Sequence, residues 1–281
     1  MLNQTDGVED SDGEDKLGQL MLNLSLVRDW GILDIYLLPG FREHTFVGQK
    51  SRLRGAAVVD PDDVSYQSSA KDKHLDVALR WSQTIGDFDM GGYWFHGTNR
   101  DPLLMLSSDT RAEKTSVLKQ YYNQMDQFGL DVQATLGDWL WKFETIYRTT
   151  DDDDFLAAQA GLEYTYVGVF DSNADLGLLL EYGWDSRGEG DEKSPGANIQ
   201  NDIFLGSRLA FNDMQSNEML VGLGADVEHS AFSFIVEANR RFGESVKVSI
   251  DVRLMQSSAQ NDALYSLNAD DHLQLAVEYY F

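Results

Sequence analysis

Cysteine is missing altogether, and proline occurs only four times in 281 residues. Without cysteine the chain has no disulfide framework and no thiolate metal site, and it carries no mark of its redox compartment. So few prolines leave long stretches able to donate every backbone N–H to a ladder. Basic residues are scarce as well: 22 Lys and Arg stand against 47 Asp and Glu, a net charge of −25 with a pI near 4.3. Phosphate binding needs basic patches, so this balance argues against a nucleic-acid partner. No run of about eighteen apolar residues occurs, which excludes a spanning helix but not a membrane. Strands that cross a bilayer alternate apolar with polar residues and average to a mildly negative hydropathy, here −0.36. Glycine-rich phosphate loops, zinc-ligand spacings and nucleotide fingerprints are absent, and nothing calls for a cofactor.

What the chain has instead is period-two alternation. After an acidic leader (about 1–17), which reads as disordered or as the remnant of a truncated strand, residues 18–281 read as one domain. The leader lacks the basic start and apolar core of a signal peptide, which fits a mature or trimmed chain or a start further upstream. Leu20, Leu22, Leu24 and Leu26 alternate with polar residues, Arg28–Gly31 turns, and Leu33, Ile35 and Leu37 follow. Residues from about 40 to 72 keep no period and read as a long loop, as does 97–117. Between them Leu75, Val77, Leu79 and Trp81 oppose Asp76, Ala78 and Arg80. The segment 127–148 is the most telling: Trp139, Trp141, Phe143 and Tyr147 share one side, with Lys142, Glu144 and Arg148 on the other. An aromatic side of that size must pack on a core or face lipid. Strands continue over 158–166 and 176–184, then at roughly 202–212, 218–228, 231–242 and 244–255.

Short turns (Gly86-Asp87, Gly137-Asp138, Asp171–Asn173, Asn212–Gln215, Gly243-Glu244) alternate with connections that are longer or more charged. The count is about thirteen strands, with twelve and fourteen as the competing totals, because single-chain bacterial barrels have even numbers. A soluble two-sheet sandwich is the alternative that alternation alone leaves open.

The last ten residues, His272 to Phe281, alternate throughout and stop on an aromatic: Leu273, Leu275, Val277, Tyr279 and Phe281 share one side. This resembles the closing strand of Gram-negative outer-membrane barrels, and Leu275, Val277, Tyr279 and Phe281 match the signal that the barrel-assembly machinery reads. The segments 41–48 and 129–144 look like those of uncharacterised proteobacterial outer-membrane proteins. The resemblance implies an all-β fold, a transmembrane antiparallel up-and-down β-barrel of about 12–14 strands in the bacterial outer membrane. It also implies lipid and lipopolysaccharide as surroundings, and it brings no activity with it.

On that expectation the polar side lines the barrel interior, with Arg80, Asp131, Lys142, Glu144, Arg148, Glu163, Glu181, Arg208, Glu237, Arg241, Lys247, Asp251, Arg253 and Glu278 as pore-lining candidates. Cross-strand ion pairs that fill a small barrel are the competing reading of the same residues. Arg42, Lys50, Arg52 and Arg54 form a basic cluster in the first long loop, a candidate constriction folded inward. Asp151, Asp152, Asp153 and Asp154 are a weak candidate for a calcium site, without the spacing of a structured calcium loop. His96 and His229 carry no recognisable catalytic motif. The leading expectation is a monomeric porin-like barrel passing small polar or charged solutes. A closed structural or ligand-binding barrel comes second and an outer-membrane hydrolase third. Solute identity, an open or plugged interior and subunit association are not legible in the sequence.

Overall fold

The computed structural model describes residues 4, 16–48, 50, 58–107, 117–188, 200–258, 264–265, 268 and 270–281. Their strands are β1 (Leu22–Arg28), β2 (Gly31–Pro39), β3 (Val58–Tyr66), β4 (Leu75–Ile85), β5 (Phe88–Thr98), β6 (Leu103–Leu106), β7 (Val117–Tyr122) and β8 (Gln124–Leu136). They continue with β9 (Trp139–Thr150), β10 (Asp154–Val169), β11 (Ala174–Asp185), β12 (Asn201–Ala210), β13 (Glu218–Asp226), β14 (Ala231–Phe242), β15 (Val246–Ser257) and β16 (His272–Tyr279). A single 3-10 turn at Lys71–Lys73 is the helical element among the described residues of the first long connection.

Thirteen strands form one antiparallel up-and-down sheet in the order β1-β2-β4-β5-β8-β9-β10-β11-β12-β13-β14-β15-β16. Each is long and alternating, so its ladder partner is the next such strand along the chain. Among the described residues β1 and β16 are not paired with each other. Because the order is a meander, the connections divide cleanly between two ends. One end has the turns 29–30, 86–87, 137–138, 170–173, 211–217 and 243–245. The other has the long connections 40–74, 99–123, 186–200 and 258–271, although 151–153 and 227–230 are as short as the turns opposite.

The two loops expected over 40–72 and 97–117 are not structureless. They contribute β3, β6 and β7, which form a three-stranded sheet in the order β3-β7-β6 at the long-connection end. Its β3–β7 pair is parallel, and the register shifts between Val59 and Val64. Pro61 sits inside that shift and has no N–H to give the ladder. The acidic leader lies outside the described residues except at Gln4, Lys16 and Leu17. Gln4 departs from the expected disorder: it is 3% exposed and donates to the carbonyl of Arg100 at 2.8 Å.

Register fixes two faces on the large sheet. Across β8, β9, β10 and β11 one face carries Val132, Phe143, Ala160 and Tyr182 in a row, and the next row carries Ala134, Trp141 and Leu162. The opposite face carries Gln133, Lys142, Gly161 and Glu181. Large side chains of the apolar face are open to their surroundings: Trp141 is 48% exposed, Phe128 52% and Leu205 50%. Buried apolar residues gather at the long-connection end instead, where Ala78, Phe95 and Met125 cluster with Tyr36 against them.

The polar face is packed closely enough in places to require glycine. A Cβ on Gly129 of β8 would collide with the ring of Tyr93 of β5, which lies across it. Gly129→Ala should destabilise the protein by about 1–3 kcal/mol, the usual cost of overpacking. The double variant with Tyr93→Ala should lose less than the two single losses summed. Equilibrium unfolding in urea reads this, and a neutral Gly129→Ala would contradict the close approach.

Candidate functional site

Register places Arg80, Asp131, Lys142, Glu144, Arg148, Glu163, Glu181, Arg208, Glu237, Arg241, Lys247, Asp251, Arg253 and Glu278 on the polar face. The strands bring some of these together and leave others apart. Arg80 reaches over Gly91 to make a two-pronged contact with Asp131, Nη1 to Oδ1 at 2.6 Å and Nη2 to Oδ2 at 2.9 Å. Arg253 donates to Glu237 at 3.0 Å and to Asp251 at 3.2 Å, and Lys247 stands 3.8 Å from Glu278. His272 Nε2 lies 3.4 Å from Asp251. Such pairs are partly solvated and contribute little stability individually; their geometry matters more, because it neutralises the basic groups where they stand. The side chains of Lys142, Glu144, Glu163 and Arg208 have no hydrogen bond or ion pair among the described residues.

Two polar cavities lie on this face. One of about 700 Å³ is lined by Arg80, Asp131, Gln133, Lys142 and Glu144. A second of about 540 Å³ is lined by Arg208, Glu237, Asn239, Lys247 and Asp251.

At the long-connection end the face is covered by a cap built from the small sheet and its flanking segments. Phe41 packs edge-on against Tyr122 at 4.7 Å and against Tyr66 at 6.1 Å, and Tyr66 stacks on Tyr122 at 5.7 Å. The phenol of Tyr122 accepts from the backbone N–H of His44 at 2.8 Å and donates to Gln120 at 2.5 Å. Tyr66 donates to Glu43; burial, and then that carboxylate, hold its phenol above the ordinary value, so it stays a donor through the neutral range.

The cap is tied down by Arg100. Its guanidinium meets Asp76 of β4 at 2.5 Å, donates to the carbonyl of Thr98 at 2.6 Å, and lies over the rings of Phe95 at 5.0 Å and Phe41 at 5.5 Å. Arg100 is 6% exposed and Asp76 is fully buried. Burial lowers the guanidinium pKa and the Asp76 carboxylate opposes that shift. Asp76 also accepts from the N–H of Thr98 at 3.0 Å and meets His74 at 2.7 Å, so its oxygens are fully engaged. A second tie runs from Arg148 of β9 to Asp101 at 2.8 Å and Asn99 at 3.2 Å, with its ring-facing side 5.1 Å from Phe155.

The candidate basic cluster lies only in part among the described residues. Arg42 is exposed and donates to the carbonyl of Gly18 at 3.1 Å, and Lys50 is exposed too. Arg52 and Arg54 lie outside the described residues. The basic group that enters is Arg100, because Asp76 and two aromatic faces offset its desolvation. The sequence signal for it, an arginine beside Asn99 and Asp101 before Pro102, is too common to single out.

The aspartates of the 151–154 run go to different partners. Asp151 accepts from Gln67, Asp152 from Asn123 at 3.4 Å, and Asp154, which opens β10, from Tyr147 at 3.2 Å. Drawn to separate partners, they do not converge, and no metal-holding group of His, Cys, Asp or Glu is found among the described residues. His96 stacks on Trp94 and meets Asp126 at 3.1 Å on the apolar face; His229 meets Asp226 at 3.2 Å in the 227–230 connection. Leu275, Val277 and Tyr279 share the apolar face of β16 and are at least 62% exposed, and Phe281 lies beyond the strand.

No protein-family model matches the chain, and no curated protein matches it. The resemblance to outer-membrane barrels therefore rests on the pattern of its own residues.

Asp76→Ala leaves Arg100 buried without its carboxylate and should cost about 3–5 kcal/mol. Asp76→Ala combined with Arg100→Met should recover much of that loss. Urea unfolding, with proteolysis of the 99–123 connection as a local readout, tests the pair; equal loss in the single and double variants would count against it.

Proposed function

We propose that the thirteen-stranded sheet curls with its polar face inward into a closed, monomeric transmembrane barrel of a Gram-negative outer membrane. It acts there as a porin-like passage for small polar or charged solutes. The observation that carries this reading is the layering of the apolar face. Near the short turns it presents Trp81, Phe88, Trp139, Tyr164, Phe242 and Tyr279. Near the long connections it presents Trp94, Phe128, Tyr147, Trp184 and Phe232. Between the two rows lie mostly aliphatic side chains such as Leu130, Val132, Leu180, Leu205 and Val252, with Trp141 and Phe143 of β9 among them. Aromatic belts at both interfaces with an aliphatic band between them suit a bilayer. From Trp139 to Tyr147 one strand runs roughly 26 Å, and a tilt near 40° brings that to about 20 Å, close to the ~25 Å apolar band of such barrels.

Short turns on one end and long connections on the other support the same reading, with the turns on the periplasmic side. Closure brings β1 and β16 together running in the same direction, because their number in the meander is odd. Lipid and lipopolysaccharide surround the barrel, and the exposed apolar row Leu275, Val277, Tyr279, with Phe281 after it, serves the assembly machinery.

The cap favours a second reading, a closed barrel that does not conduct, since it covers the polar face at one end. Planar-bilayer recording separates the two. Folded, detergent-purified protein should give discrete conductance steps. A preparation that is folded by its strand signature yet electrically silent would remove the passage and leave the closed barrel.

A further inference from the structure

Each short turn carries a carboxylate: Asp29, Asp87, Asp138, Asp171, Asp213 and Glu244. Among the described residues none of them pairs with Lys or Arg at ion-pair distance. Asp213 is held below the ordinary carboxylate range by hydrogen bonds from Asn217 first of all, so it stays charged. The short-turn end is thus a negative rim.

The polar face behind that rim has the same sign. Its ion pairs use up basic groups: Arg80 on Asp131, Arg253 on Glu237 and Asp251, Lys247 on Glu278, and Arg148 on Asp101. The carboxylates left without a Lys or Arg partner outnumber the basic groups left over. Glu144, Glu163 and Glu181 stand on the neighbouring strands β9, β10 and β11, with Asp34, Asp89 and Glu218 on the same face, against Lys142, Arg208 and Arg241. Glu163 and Glu181 have a further property. The Oε1 of Glu163 lies over Gly177 and the side chain of Glu181 over Gly161. Glycine there leaves room over it for the carboxylate, and neither glutamate has a basic partner; Glu181 accepts from the side chain of Gln159 at 3.4 Å.

Resting on the passage reading above, we propose that the polar face selects cations over anions, including organic solutes that carry an ammonium group, and that Glu144, Glu163 and Glu181 set this preference. Fixed carboxylates on a low-dielectric wall raise the local concentration of cations, and the negative rim steers them in. Anions meet fewer unanswered charges, since most guanidinium groups of the face are paired and Lys142, Arg208 and Arg241 are outnumbered by the free carboxylates.

The test is the zero-current potential of the reconstituted protein across a KCl gradient. It should take the sign of cation permeation, with a permeability ratio of at least about threefold at low ionic strength, and shrink as salt screens the wall. The triple variant E144Q/E163Q/E181Q should move the ratio towards unity; if it does not fold, Glu163→Gln and Glu181→Gln singly should each move it part-way. An anion sign, a ratio of one in the native protein, or variants that leave the ratio unchanged would overturn the proposal. A folded but silent protein ends the passage reading by itself. The preference is then read by equilibrium dialysis with pentane-1,5-diamine and glutarate as probes. More diamine than glutarate should be retained, with the difference reduced in the triple variant, and equal retention of the two probes or no effect of the variant would overturn it.

Discussion

Side chains on a strand change face at every residue, and in this protein that constraint runs through thirteen paired strands, with a shift of register between Tyr166 and Val169 of β10. A slip of one residue between β8 and β9 would carry Lys142 and Glu144 in among Phe128, Leu130 and Val132, and carry Trp141 and Phe143 in among Asp131 and Gln133. The register is therefore specified wherever the two faces meet different surroundings. Everything else about the large sheet follows from it: the row of Trp, Phe and Tyr on one side, and the paired and unpaired charges with their polar cavities on the other. The face assignment also makes the bilayer reading physical, because an apolar face this large and this exposed has a high cost in water.

The cap obeys a different logic. It is the part of the molecule that resembles the interior of a water-soluble domain, with Phe41 packed on Tyr122, Phe95 clustered with Ala78 and Met125, and Arg100 lying over Phe41 and Phe95. Into this small core it brings the Arg100 and Asp76 charges, whose desolvation is offset only while both are present and their remaining hydrogen bonds are made. A buried pair of this kind adds little net stability over an apolar pair. What it provides is position: Arg100 meets Asp76 on β4, which holds the start of the 99–123 connection against the polar face there.

The large strands were legible because their alternation is long. Trp139, Trp141, Phe143 and Tyr147 mark β9 on sight, and Val246, Val248, Ile250, Val252 and Leu254 mark β15. The small sheet was not legible. β3 is broken by Pro61, β6 reads Leu-Leu-Met-Leu with no alternation, and β7 has mixed residues on both sides. Its stability comes from contacts between remote segments, such as His44 with Tyr122 across 78 positions. Arg42 and Lys50 stand out because they cluster in sequence, and both are exposed; Arg100, with no cluster around it, is the arginine that meets a buried carboxylate and two ring faces.

By itself, then, the sequence determined which side chains share a face, where the chain turns, and that one face is mainly apolar, because a two-residue period needs no distant information. Which connections fold back, which carboxylates are answered by Arg or Lys, and which are left open were decided only by the tertiary structure. Arg148 meets Asp101 at a separation of 47 positions, and Arg80 meets Asp131 at 51. Such meetings depend on the path of the whole chain through space, which no local pattern encodes.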